Sequence, residues 1–148
     1  MAKFRYRMQN ILDINVKLET QAKNAYGIAN GKYLEEQKRL QNLMIRRMEY
    51  ERQLKELMSG AIDVKKIAHA RNDVNTMKTL VRRQMIEVHK AELEVERTRQ
   101  ELNKIMLERK THEILRDRAF ENFKKELAAQ ESKEIDELIS YTFNKGRQ

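Results

Sequence analysis

The sequence has no proline, no cysteine and no tryptophan, and it has only four glycines in 148 residues. Proline inside a helix removes a backbone hydrogen bond and clashes with the preceding turn. Its absence is therefore expected of very long helices and is difficult to reconcile with a loop-rich enzyme. The lack of cysteine excludes a disulfide framework and fits a reducing compartment.

Long apolar runs are also absent. None approaches the roughly 18 residues that a membrane-spanning helix needs. The opening stretch, MAKFRYRMQNILDI, is basic and aromatic. No uninterrupted apolar segment follows its charges, so we do not expect it to be a secretory leader.

The residues that are present favour helix. Charged residues make up 36% of the chain, and the rest is rich in Leu, Met, Ala and Gln, which are strong helix formers. The net charge of +8 is uneven, since residues 1–118 carry a balance of +9 and residues 119–148 a balance of −1. The basic body would be drawn to an acidic surface of protein, nucleic acid or lipid.

A heptad repeat runs through the second half of the chain. Ten of twelve successive a and d positions are apolar, with β-branched residues concentrated at a, which predicts a coiled coil over about six heptads. The two polar positions either set the register or mark a solvated gap. The twelve positions are Ile67, Ala70, Val74, Met77, Val81, Gln84, Val88, Ala91, Val95, Thr98, Leu102 and Ile105.

The signals that end a helix cluster at Ser59-Gly60, where the glycine is typical of a C-cap and Asp63 of an N-cap. We therefore predict one arm over about 4–58, a turn at about 59–62 and a second arm over about 63–140. Because the turn is short, the arms should be antiparallel, with partners whose numbers add up to about 121, so that Phe4 lies near Asp117. The predicted fold is an all-α single domain over residues 1–148, a long antiparallel two-helix coiled-coil hairpin with a C-terminal helical overhang.

The first arm has a rougher repeat. Its apolar residues keep 4–3 spacing in two frames that are joined by an eleven-residue step, which predicts a stutter in the supercoil. Gly27 and Gly31 coincide with that step, and they predict either a thin packing zone of small residues or a point at which the coil bends. The frames contain Leu18, Ala22, Ala25 and Ala29, and then Tyr33, Leu40, Leu43, Tyr50, Leu54 and Leu57.

The sequence offers no catalytic or metal-binding motif. It has no glycine-rich phosphate loop and no GxSxG, and its histidines at positions 69, 89 and 112 are too far apart for a helical metal site. We expect His112, at a d position, to be partly buried and hydrogen-bonded, and the carboxylates of Glu92, Glu94 and Glu96 to be solvated. We therefore expect no enzymatic activity, no cofactor and no metal site.

Basic steps occur on each arm, at 45–47 (IRR) and 81–83 (VRR). Acidic residues are interleaved throughout, and no basic run reaches five residues, so we expect weak attraction to phosphate and no specific binding of nucleic acid. Membrane-surface binding is disfavoured because the apolar stripe is used in the helix–helix seam.

The open end of the predicted hairpin carries aromatic, methionine and arginine side chains from both arms. We expect Phe4, Met8, Ile11 and Leu12 to form one apolar helical stripe. Opposite it lies ERKTHEILRDRAFENF, residues 108–123. Aromatic residues rimmed by arginine are typical of protein-docking surfaces. Packing of Phe4 on the 115–123 segment would explain part of the same pattern, and both interpretations can hold.

These end segments resemble a known family. The start, FRYRMQNILDI, resembles the aromatic-x-aromatic-x-x-x-x-Leu opening of the FliJ family, small components of the flagellar type III export apparatus. The later ERKTHEILRDRAFENF, with ESKEIDEL after it, resembles that family's apolar-aromatic stretch and acidic run. Length, the single turn and the missing proline agree over the whole chain.

The resemblance implies a soluble, non-enzymatic, stalk-like coiled coil similar to the central stalk of rotary ATP synthases. It implies docking of the terminal end in the hexameric flagellar export ATPase, whose assembly and activity it would promote. It further implies contact with the cytoplasmic domain of the membrane export gate and with export chaperones. The protein would be monomeric alone, cytoplasmic, and peripherally associated with the inner face of the cell membrane at the flagellar base.

The resemblance also implies site residues by position. The ATPase-binding residues would be Phe4, Arg5, Tyr6, Arg7, Met8, Arg116, Arg118, Phe120 and Phe123. The export-gate-binding residues would be Arg39, Leu43, Arg46, Tyr50, Asp73, Met77, Leu80 and Gln84. Two other functions stay open on the residues alone: a generic structural or chaperone-like coiled-coil adaptor, and a basic nucleic-acid-binding coiled coil, whose binding would weaken steeply with salt.

Overall fold

The computed structural model describes residues 3–146. It contains two long helices, α1 (Gln9–Met58) and α2 (Val64–Gly146). They pack against each other, and residues 3–146 include no strand. The predicted all-α hairpin is therefore confirmed. Two boundaries differ from prediction, since α1 begins at Gln9 instead of about residue 4 and α2 continues past residue 140 to Gly146.

The connection between the helices is short and capped by side chains. The Oδ1 atom of Asp63 accepts hydrogen bonds from the backbone N–H groups of Lys65 (3.1 Å) and Lys66 (3.3 Å), as predicted for an N-cap. At the end of α1, the hydroxyl and the N–H of Ser59 both donate to the carbonyl oxygen of Glu56. Gly60 does not adopt the left-handed conformation, so the predicted glycine C-cap is wrong.

The heptad frame predicted for α2 is confirmed by burial. All twelve predicted a and d side chains are buried or half-buried, including Val81 and Thr98 at 3% and 4% exposure. The same 3–4 spacing continues beyond the predicted range, where the inward-facing positions become polar and aromatic. These further half-buried positions are Arg109, His112, Arg116, Ala119 and Phe123.

The inward-facing positions of α1 differ from the prediction. They follow one uninterrupted 3–4 spacing from Leu12 to Leu57, without the eleven-residue step, while Leu18 and Ala25 are exposed. The reason is that polar side chains occupy several seam positions, which an apolar pattern does not detect. The buried or half-buried positions are Leu12, Asn15, Glu19, Ala22, Tyr26, Ala29, Tyr33, Glu36, Leu40, Leu43, Arg47, Tyr50, Leu54 and Leu57.

Gly27 and Gly31 face outward. Both are exposed, and a Cβ atom built on either would meet no other atom within 4 Å. No close helix approach therefore explains them, and the predicted small-residue packing zone is wrong.

Residues 21–103 form one compact unit. Its core is a narrow row of small and medium apolar side chains, interrupted by a polar pair. Glu36 is 8% exposed, and the side-chain amide of Gln84 donates to its backbone carbonyl oxygen at 3.0 Å. This contact lies within the antiparallel register that the short turn predicts. The apolar core positions are Ala22, Ala29, Val74, Met77, Val81 and Ala91.

The second unit combines the N-terminal residues up to Thr20 with the chain from Lys104 onward. Leu12 is its most deeply buried apolar side chain, at 2% exposure, and Ile105 follows at 8%. Beside them the buried carboxylate of Glu19 forms an ion pair with Nε of Arg109. Beyond residue 127, every described residue of α2 is exposed, which agrees with a C-terminal overhang.

Candidate docking surfaces

The segment before α1 is not helical: residues 3–6 have no regular secondary structure and residues 7–8 form a turn. Side-chain burial alternates along residues 4–7. Phe4 and Tyr6 are half-buried, whereas Arg5 and Arg7 are exposed. Side chains two residues apart point to different faces of a helix, so a helix over this segment would not bury both rings on the same side. The predicted helical stripe is therefore wrong. Met8, the residue before α1, is 39% exposed.

An aromatic cluster forms in the second unit where the segment before α1 packs on α2. The ring centroid of Phe4 lies 5.0 Å from that of Phe120 and 5.6 Å from that of Phe123, both in tilted arrangements. Such pairs stabilise packing by about 0.5–1.5 kcal/mol beyond their buried area. Phe120 is still 41% exposed, and the Nζ atom of Lys124 lies 4.7 Å from its ring centroid. The cluster thus serves packing and leaves one ring open to solvent.

A cleft of about 620 Å³ lies beside this cluster. It brings together six of the nine residues predicted to bind the ATPase, and we call these six residues the tip surface: Phe4, Arg5, Tyr6, Arg7, Arg116 and Phe120.

The other three predicted ATPase-binding residues lie near the tip surface but do not line its cleft. Met8 is exposed, Phe123 is half-buried against Phe4, and Arg118 lines a neighbouring shallow groove with Glu121 and Lys125.

Three further residues line the cleft that were not among the predicted ATPase-binding residues. They are Gln9, Asn10 and Asp117. Asp117 was expected near Phe4 from the register. No sequence pattern pointed to Gln9 and Asn10, because their place in the cleft follows from the start of α1 at Gln9.

Tyr6, which lines the cleft, also contacts α2, because its hydroxyl lies 3.5 Å from Nδ1 of His112. Both side chains are half-buried. This confirms the expected partly buried, hydrogen-bonded state of His112, and it fixes the ring of Tyr6 against α2.

The charges of this unit differ between its inner and outer parts. Arg109 forms ion pairs with Glu113 (2.8 Å) and with Glu19. Hydrogen bonds to Glu113 and then to Glu19 raise the pKa of Arg109 above its usual value. By contrast, neither Arg5 nor Arg116 forms an ion pair with any residue in the range 3–146.

The residues predicted to bind the export gate lie in the unit formed by residues 21–103. Four of them line one shallow groove: Arg39, Leu43, Arg46 and Gln84. A second groove shares Arg46 and adds Tyr50 and Met77.

Within this set the side chains differ in what they offer a partner. Met77 is only 6% exposed and belongs to the helix–helix core. Gln84 donates to Glu36, and Asp73 lies 3.7 Å from His69. Leu80 is 38% exposed, and it lines neither of the two grooves.

The described residues include neither a membrane-spanning helix nor a cluster of metal ligands. Over residues 3–146, no helix is long and apolar enough to cross a membrane. No group of three or more histidine, aspartate or glutamate side chains in that range could hold a metal ion.

Comparison with known proteins identifies the family. The family described as Flagellar FliJ protein matches residues 4–148, essentially the whole chain. Comparisons with curated proteins and with solved structures gave no match. A family match of this extent makes the protein a flagellar export component. The chain belongs to the FliJ family.

Proposed function

We propose that the tip surface docks in the hexameric flagellar export ATPase and promotes its assembly and ATP turnover. One observation carries this proposal: arginines and aromatic rings from opposite ends of the sequence line a single cleft. The few residues that dominate binding energy at protein interfaces are enriched in arginine, tyrosine and tryptophan. The chain would act as a non-enzymatic stalk.

The exposed arginines of the tip surface carry charge that no residue in the range 3–146 neutralises. Arg52, Arg97 and Arg99 each pair with a neighbouring glutamate, whereas Arg82 and Arg83 are unpaired within that range, like the tip arginines. Arg5 and Arg7 are exposed and have no such partner among residues 3–146. Arginines that are not neutralised within the chain can pair with a partner, and they would also accelerate its association.

The direct test mixes the purified chain with its cognate export ATPase. Hexamer formation is followed by sedimentation and ATP turnover by phosphate release. The exposed pair Arg5→Glu/Arg7→Glu should abolish most of the stimulation. Arg82→Glu/Arg83→Glu, an equally exposed pair in the other unit, is the matched control and should stimulate like the native chain.

The tip variant leaves the aromatic cluster in place, so unfolding should not confound the result. Circular dichroism checks this directly. If the tip variant stimulates assembly and turnover as well as its control does, the docking assignment is wrong.

We further propose that the two grooves in residues 21–103 contact the cytoplasmic domain of the export gate. Exposed Arg46 lines both grooves, and exposed Leu80 would supply an apolar contact. Met77 would act indirectly, because it is buried. Arg46→Glu/Leu80→Ser should weaken co-sedimentation with the gate domain, and Arg5→Glu/Arg7→Glu should not.

Contacts with export chaperones, and a cytoplasmic location at the inner face of the membrane near the flagellar base, belong to the same proposal. They are motivated by membership of the FliJ family, which makes the protein a flagellar export component. A pull-down with the cognate chaperones, using the native chain and both double variants, tests whether they use either surface.

A further inference from the structure

The cleft at the tip surface has a surplus of positive charge. Arg5, Arg7 and Arg116 line it, against the single carboxylate of Asp117. None of the three arginines is ion-paired to another described residue, and Arg116 is half-buried. A partly desolvated guanidinium attracts a carboxylate more strongly than an exposed one does, because solvent screens the pair less.

The start of α1 adds to this surplus. Gln9 and Asn10, its first two residues, line the same cleft. The N-terminal end of a helix carries a partial positive charge, and acidic side chains in the first turn normally offset it. The first turn of α1 contains none. Three guanidinium groups and a helix start therefore favour an anion in one cleft.

The cleft also has an apolar wall. Phe4 and Phe120 line it, and the ring of Phe120 is 41% exposed. A small inorganic anion would leave that ring in water. A peptide segment with both carboxylates and an apolar side chain would cover it.

We propose that this cleft binds an acidic protein segment, in which aspartate or glutamate residues flank an apolar side chain. The carboxylates pair with Arg5, Arg7 and Arg116, whose planar guanidinium groups suit bidentate contacts. The apolar side chain packs on Phe120. This inference rests on the proposed function, since the segment belongs to the protein that docks on the tip surface.

The experiment uses the full-length chain, labelled with ¹⁵N, and two synthetic peptides. In the first peptide a leucine stands between two pairs of glutamates; in the second, glutamines replace the glutamates. The glutamate peptide should shift the side-chain N–H resonances of Arg5, Arg7 and Arg116. The glutamine peptide should bind at least tenfold more weakly, and salt should weaken binding of the glutamate peptide.

Two variants and one control assign the site. Arg7→Gln removes an exposed arginine, and Arg116→Gln removes the half-buried one; each should weaken peptide binding several-fold. Arg82→Gln/Arg83→Gln should leave it unchanged. Arg7→Gln keeps the test valid if Arg116→Gln disturbs the helix seam.

The inference is overturned if both peptides bind equally well or if the two arginine variants bind like the native chain. It is also overturned if inorganic phosphate binds the cleft more tightly than the glutamate peptide, which would make it a phosphate site. Failure of the proposed function looks different: the peptide would still bind, while Arg5→Glu/Arg7→Glu would still promote assembly of the ATPase.

Discussion

Gln84 donates hydrogen bonds to Glu36 at two points, the backbone carbonyl oxygen at 3.0 Å and the carboxylate Oε2 at 2.5 Å. Arg39 donates to the other carboxylate oxygen at 3.2 Å. A polar side chain at position 84 could have marked a solvated gap in the seam. Its pairing with a buried glutamate instead favours a role in setting the register of the two helices.

The Gln84→Leu variant should therefore be destabilised. Removing the donor leaves Oε2 of the buried Glu36 carboxylate without its hydrogen bond, although Arg39 still donates to Oε1. An unsatisfied buried acceptor costs about 1–3 kcal/mol. Urea unfolding followed by circular dichroism measures the free energy of unfolding. Gln41→Leu, at an exposed position of α1, is the control and should change stability by less than about 0.5 kcal/mol.

The double variant Glu36→Leu/Gln84→Leu completes the cycle. Replacing both members of a buried polar pair by apolar side chains is often neutral or stabilising. We expect the double variant to regain the stability that Gln84→Leu loses. A double variant that is less stable than Gln84→Leu would show that the pair stabilises the fold in addition to setting the register of the helices.

Leu12 is the second test of the seam. Its side chain is only 2% exposed, whereas that of Ile14, two residues further along α1, is 55% exposed. Leu12→Ala should lower the free energy of unfolding by about 2–5 kcal/mol, because it leaves a cavity in the core. Ile14→Ala should cost about 0.5 kcal/mol or less. Equal losses for both would mean that the inward face of α1 is assigned wrongly.

The inward face of α2 could be predicted from sequence and that of α1 could not, for a physical reason. On α2 the seam positions from Ile67 to Ile105 are mainly apolar, so their spacing is visible in the sequence. On α1 the seam also includes the buried polar residues Asn15, Glu19 and Glu36. Glu19 pairs with Arg109 and Glu36 pairs with Gln84, and both of these partners lie on α2. Because apolar spacing does not reveal such polar seam positions, it pointed instead to Leu18, which faces solvent.

The residues of the tip surface were predicted, but the conformation of the opening segment was not. The antiparallel register placed Phe4 beside Asp117, and both line the cleft. The composition of the opening segment also suits a helix, so its non-helical form was not visible. Phe4 packs on Phe120 and Phe123, and Tyr6 contacts His112. These are tertiary interactions that local propensity does not contain.

Stability should depend on pH below the usual range of glutamate pKa values. Hydrogen bonds from Arg52, Arg97 and Arg99 hold the pKa values of Glu49, Glu94 and Glu96, respectively, below the usual 4.5. In this range the unfolded chain binds more protons than the folded chain. The stabilising contribution is therefore complete above about pH 4.5 and is lost as the pH falls through the lowered values.

Thermal unfolding between pH 7 and pH 3 measures this effect. The midpoint Tm should be nearly constant down to about pH 5 and should fall below about pH 4.5. The pairs are exposed, so salt at about 1 M should flatten the fall by screening them. Replacing all three glutamates by glutamine should lower Tm at pH 7 and make the pH dependence shallower. A fall that begins near pH 7 would require a different titrating group.

Gly27 and Gly31 should be replaceable with a gain in stability. Both lie inside α1 without a positive φ, and a Cβ atom would meet nothing within 4 Å. Alanine restricts the unfolded chain and favours helix, so each substitution should raise the free energy of unfolding by about 0.5–1 kcal/mol. Gly27→Ala/Gly31→Ala should therefore gain about 1–2 kcal/mol in urea unfolding. A loss of stability would show instead that another helix approaches this face of α1 in solution, because only a close neighbour could make the added methyl groups unfavourable.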